Sequence, residues 1–209
     1  MSAPSAQGPR VFLDERAVLA ARTPRPALFL DRDGVINVDH GYVHRAEDTQ
    51  WLPGIFELVR RARAAGYLCI VVSNQAGLAR GYYTDAQFRA YTAWMHAEFA
   101  RHGAPLDATY YCPHHPEAGL GDLKQACDCR KPQPGMFLAA RDALGVDLPV
   151  SIMVGNQATD MQAALAAAVG RCYWLDGERD RAAKWGGKVI VAAGLDDIMP
   201  AGEIAAQPG

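Results

Sequence analysis

Short unbroken apolar runs alternate along this chain with longer stretches of helical periodicity. The runs occupy residues 27–30, 68–72, 109–111, 151–154 and 171–175. Continuous apolar runs of that length predict strands buried on both faces. Between the first two, Ile55, Phe56, Leu58, Val59 and Ala62 fall at helical spacing with arginines opposite, after Pro53-Gly54 and before a stop at Gly66. Thr84 and Gln87 form a capping box for a second helix, whose Phe88, Tyr91, Met95 and Phe99 make a core-facing stripe. Further helices are predicted over 134–144 and 159–168, the latter closed by Gly170, and residues 188–192 offer a short edge strand. Strands alternating with helices predict an α/β fold, a mainly parallel sheet covered on both faces. Residues 11–22 have apolar periodicity without an evident partner, so 1–26 read as an N-terminal extension, 27–200 as a single domain and 201–209 as a tail.

Composition narrows the class. A chain of 209 residues can bury a sizeable core in one domain. Its net charge of −2 argues against general nucleic-acid binding. No apolar run reaches the length of a membrane span, and the first ten residues lack the apolar segment of a secretory signal. An odd count of five cysteines then points to a reducing, cytoplasmic compartment. Cys69 and Cys172 lie in strand-like runs and read as buried thiols.

Candidate chemistry begins where the first run stops, at Asp31-Arg32-Asp33-Gly34. Ligands of α/β sheets bind at the carboxyl ends of the strands. Two acids there repel unless a cation neutralises them, which suits magnesium and its oxygen ligands. A plain Asp-Gly turn after a strand accounts for the same residues. Ser73, Asn74 and Gln75 close the second run; Arg130 and Lys131 precede the helix at 134; Asn156 and Asp160 follow the fourth run. All are placed at the sheet edge that carries Asp31, and their hydroxyl, amide and cationic donors suit phosphoryl oxygens. Asp39, His40, Gly41, Tyr42 and His44 form a polar, aromatic loop beside the acids, read either as substrate contacts or as a solvated loop.

Cys112-Pro113-His114 and Cys127-Asp128-Cys129 supply two pairs of donors, each two residues apart, so an extended backbone turns both side chains of a pair to one face. His115 faces away, which makes His114 the ligand. Three thiolates and an imidazole form a closed set for structural zinc rather than a catalytic site with an open position. The intervening stretch is poor in core residues, so metal binding would supply its folding energy.

The sequences Leu30-Asp31-Arg32-Asp33-Gly34, Asn37 to His44, Tyr110 to Pro116 and Cys127 to Pro132, with Gly155-Asn156 and Asp160, resemble the haloacid-dehalogenase (HAD) superfamily of phosphotransferases. Within it they are similar to the heptose-bisphosphate phosphatases; the histidinol-phosphate phosphatases share the zinc loop, and the loop at 39–44 favours the heptose branch. The resemblance implies a Rossmann-like fold without a large cap domain, because no long insertion follows Asp33 or Ser73. It implies that Asp31 is the nucleophile, that Asp33 is the general acid and base, and that Ser73 and Lys131 hold the phosphoryl group. Asp39, His40, Gly41, Tyr42, Asn74, Gln75, Arg130 and Gln157 would contact the substrate. Magnesium would bind the Asp31 carboxylate, the Asp33 carbonyl and Asn156, with Asp160 a further candidate; zinc would bind Cys112, His114, Cys127 and Cys129. The implied partner is a small sugar phosphate met by a cytoplasmic monomer, with loss of the 7-phosphate of a heptose 1,7-bisphosphate in the synthesis of activated heptose for a surface glycan. Two positions depart from the pattern: Asn156 replaces an aspartate, and Gln157 a lysine usual in the heptose enzymes. One charge at ~4 Å and an effective dielectric of about 20 is worth on the order of 4 kcal/mol before desolvation. The expectation is weaker metal binding and slower turnover, or, in the extreme, a sugar-phosphate binder.

Overall fold

The computed structural model describes residues 8–13 and 23–198. Strands β1 (Arg10–Leu13), β2 (Ala27–Leu30), β3 (Leu68–Asn74), β4 (Ala108–Cys112), β5 (Ile152–Gly155), β6 (Arg171–Leu175) and β7 (Val189–Ala192) form one sheet in the order β1-β4-β3-β2-β5-β6-β7. The pairings from β4 through β7 are parallel, and β1 runs antiparallel to β4. The central strand is therefore β2, the one that ends at Asp31. The chain winds outward from it in both directions, which opens a crevice at the carboxyl ends of β2, β3 and β5.

Helices α1 (Ile55–Ala64), α2 (Ala76–Ala79), α3 (Asp85–Arg101), α4 (Gly135–Leu144), α5 (Ala158–Ala166) and α6 (Arg179–Ala183) cover the sheet. Alternation along β2 divides the core: Leu28 and Leu30 join Ile55, Leu58, Met95 and Phe99 under α1 and α3. Ala27 and Phe29 join Phe137, Ala140, Met161 and Ala164 under α4 and α5. The Thr84–Gln87 capping box starts α3, whose four-residue stripe is buried as expected.

Two expectations change. Residues 10–13, read as part of an extension, are the edge strand β1; the rest of 1–26 lies outside the described residues except 8–9 and 23–26, as does the tail at 201–209. Helix α5 ends near Ala166, before the expected 168, and Ala168 rather than Gly170 takes the left-handed turn, at φ 63°. Gly170 is required for another reason: a Cβ there would run into the Pro149 carbonyl. Among the described residues no helix is long and apolar enough to cross a membrane.

Candidate active site

Three adjacent strands deliver the central group. Asp31 follows β2, Ser73 is the penultimate residue of β3, and Asn156 follows β5, in a cleft of about 220 Å³ that Asp33, Asp39, Asn74, Lys131, Gln157, Thr159 and Asp160 also line. Lys131 is 3 % exposed, and its ammonium is shared between Asp31 Oδ1, Asp160 Oδ1 and the Val72 carbonyl, each at 2.8 Å. Burial pushes the Asp31 carboxyl up to about 7; Lys131 pulls against that rise, and Asp160 adds to it. Asp160 is spent on this arrangement: its second oxygen accepts the Gln157 N–H at 3.0 Å, at the start of α5. The structure thus makes Asp160 a counter-charge for Lys131 at the wall of the cleft.

Asp33 is held from two sides. Arg32 donates to both its oxygens, and Asn37 Nδ2 donates to Oδ1 at 3.1 Å. Arg32 itself is buried, with its guanidinium over the Phe88 and Tyr91 rings of α3 at 5.5 and 5.3 Å. Gly34, at φ 82°, brings the turn against the Asn156 amide; a Cβ there would overlap that side chain. Asn156 is tethered through its carbonyl, which accepts the Trp174 indole N–H at 3.0 Å, while its Oδ1 is buried without a hydrogen-bond partner. An orphaned buried oxygen beside Asp31 fits a hard cation, since magnesium takes oxygen ligands and seldom more than one or two carboxylates.

The remaining candidates divide. Asp39 and Gln157 line the cleft. His40, Gly41 and Tyr42 instead line a separate depression of about 560 Å³ formed by residues of the 40–50 loop. Asn74 uses both ends of its amide on the Lys131 backbone, accepting its N–H and donating to its carbonyl, each at 3.0 Å. Gln75 is 2 % exposed and corrects its reading as a substrate contact: Nε2 donates to Ser73 Oγ at 2.7 Å and Oε1 accepts the Tyr83 hydroxyl at 2.6 Å. Arg130 donates to the His114 carbonyl at 3.2 Å and is absent from the cleft lining, so its contact is with the cysteine loop. Sequence reasoning assigned no part to Arg32, Asn37 or Tyr83. The first two lie inside quoted motifs, where a buried arginine among acids was the available signal.

Cys112, His114, Cys127 and Cys129 converge as expected, their donor atoms all within 4.8 Å of one another. The Cys112–Cys127 and Cys127–Cys129 sulfurs lie 3.5 Å apart, and His114 Nδ1 is 3.5 Å from Cys129 and 3.7 Å from Cys112. Zinc bonds of about 2.3 Å to sulfur and 2.0 Å to nitrogen require tetrahedral edges of roughly 3.5–3.8 Å. The donor set fits the ion. His115 faces elsewhere, its Nδ1 accepting the Glu117 and Ala118 N–H groups.

A HAD-hydrolase-like family model matches residues 128–197. The D-glycero-β-D-manno-heptose-1,7-bisphosphate 7-phosphatase of Vibrio cholerae is 55 % identical over 146 residues, 70 % of this chain and 78 % of the relative. Among solved structures, a HAD-like protein from Mesorhizobium loti superposes with a TM-score of 0.76 and 34 % identity, over 82 % of this chain and 81 % of the other. The D,D-heptose 1,7-bisphosphate phosphatase of B. bronchiseptica, solved with magnesium and phosphate, gives a TM-score of 0.69 and 32 % identity, over 81 % and 93 %.

Proposed function

The chain belongs to the heptose-1,7-bisphosphate 7-phosphatase family of HAD-like phosphatases, and from that membership we propose that it removes the 7-phosphate of D-glycero-β-D-manno-heptose 1,7-bisphosphate in a magnesium-dependent reaction. One observation supports this above the rest: a buried ammonium joins Asp31 to the cleft edge where Ser73 and Asp33 also stand. The Asp31 carboxylate attacks phosphorus, and the phosphoryl group passes to it as an acyl phosphate. Lys131 and Ser73 donate to the phosphoryl oxygens as their charge grows. Asp33 gives a proton to the departing sugar oxygen, then takes one from the water that cleaves the acyl phosphate. Asp31, the Asp33 carbonyl and Asn156 would hold magnesium, which would supply the positive charge an anionic ester needs to approach a carboxylate. Asp39 and Gln157 meet the sugar, with Asn74 beside them, and His40, Gly41 and Tyr42 line the neighbouring depression. Zinc would hold the loop that leads directly into Arg130 and Lys131. The enzyme works as a cytoplasmic monomer in the supply of activated heptose for a surface glycan.

The test is a panel of sugar phosphates and histidinol phosphate with magnesium, following phosphate release and using 31P NMR to identify the phosphate lost. The reading expects release of the 7-phosphate from the bisphosphate and none after Asp31→Asn. Preference for histidinol phosphate, or no release from the bisphosphate, overturns it.

A further inference from the structure

We infer that Gln75 and Tyr83 are positioning residues that keep the Ser73 hydroxyl proton free for the phosphoryl group. The inference rests on the phosphatase reading of the cleft. A serine hydroxyl has one proton to give and two lone pairs to receive. Gln75 meets Ser73 Oγ at 2.7 Å with its amide nitrogen, a pure donor, and so occupies a lone pair and leaves the proton unused. Turned the other way, the amide would present its oxygen, and Ser73 would spend its proton inside the protein.

Tyr83 meets the other end of the same amide. Its hydroxyl donates to Gln75 Oε1 at 2.6 Å, which holds the amide nitrogen toward Ser73. Burial pushes the Tyr83 phenol up from its ordinary range, which keeps it a proton donor at every working pH. The ring has little freedom to leave. It is 4 % exposed, stacks on His44 at 4.5 Å and 21°, and lies so close to Gly77 that a Cβ there would strike it. His44 comes from the loop that leaves the cleft after Asp39, so the serine that meets phosphate is joined to that loop by three consecutive contacts.

A double-mutant cycle tests this, read by bisphosphate turnover and, separately, by calorimetric affinity for orthovanadate with magnesium. Tyr83→Phe keeps the ring and removes the donor. It should lower kcat about tenfold, part of what losing one donor to a transition-state oxygen costs, with KM within about twofold, and weaken orthovanadate similarly. Gln75→Glu presents an acceptor to Ser73 and should do at least as much. In a Ser73→Ala background neither change should add a further loss, because the group they orient is gone. Losses that multiply in that background, or wild-type kcat and orthovanadate affinity in both single variants, overturn the inference. If the wild-type protein leaves the bisphosphate intact, the functional reading fails on its own, and the orthovanadate cycle still decides this one.

Discussion

Arg32 grips the carboxylate of its own neighbour, Asp33, with three hydrogen bonds of 3.1, 2.8 and 2.7 Å. Adjacent side chains on an extended backbone point apart. The turn at Gly34 and the aromatic bed of Phe88 and Tyr91 instead bring this pair together at the cleft wall. Arg32→Gln removes the grip and leaves Asp33 with Asn37. Breaking a buried pair costs 3–5 kcal/mol in general, and Asp33 is partly exposed, so a loss of about 2 kcal/mol is expected in urea melts. Turnover should fall further than KM changes, because orientation of the proton donor is what is lost.

Asp31 makes stability depend on pH and magnesium together. Its folded carboxyl titrates at about 7, above its ordinary value of 3.8. Between those two values the folded protein holds a proton that the unfolded chain has released. The contribution of this group to stability therefore falls as pH rises through that window, and the loss is complete above about 7. A cation binding the ionised carboxylate offsets it. Differential scanning fluorimetry should show a small magnesium-induced rise in Tm near pH 5 and a larger one near pH 8. Equal rises at both would contradict the assignment.

Asn156→Asp should tighten magnesium by at least about tenfold, since it adds a charge where a neutral oxygen now stands unpaired. Calorimetry with magnesium alone measures this without reference to turnover. Gly34→Ala should act in the opposite sense by displacing the residue 156 side chain.

Cys129→Ser and His115→Ala separate a donor of the cysteine cluster from the histidine that faces away from it. Cys129→Ser should abolish stoichiometric zinc and lower Tm by several degrees. It should also reduce turnover, because Lys131 lies two residues further on and is fixed by Asn74. His115→Ala should retain zinc, with stability changed by no more than about 0.5 kcal/mol. Metal analysis and thermal melts distinguish these outcomes.

The central strands, the capped helix and the four zinc donors were legible because each signal is local: an uninterrupted apolar run, a Thr…Gln spacing, two donors two residues apart. Strand β1 was not, since four half-buried residues are too short a run to read as a strand and their partner lies about a hundred positions away. Side-chain direction was the other hidden quantity. Gln75 follows Ser73 and Asn74 at the cleft edge, yet it turns inward to Tyr83, and Asp160 turns to Lys131. Position along the strand fixed which edge these residues reach. Which of them meets solvent depends on partners distant in sequence.

The antiparallel strand at the sheet's margin has a practical side. Arg10 to Leu13 occupy the main-chain groups of Ala108 to Tyr111 that would otherwise stand open. A shortened protein beginning at residue 23 would present that aromatic ladder bare, a template on which molecules can stack edge to edge. Trimming the front of this chain for convenience of handling should thus lower its solubility before it touches catalysis.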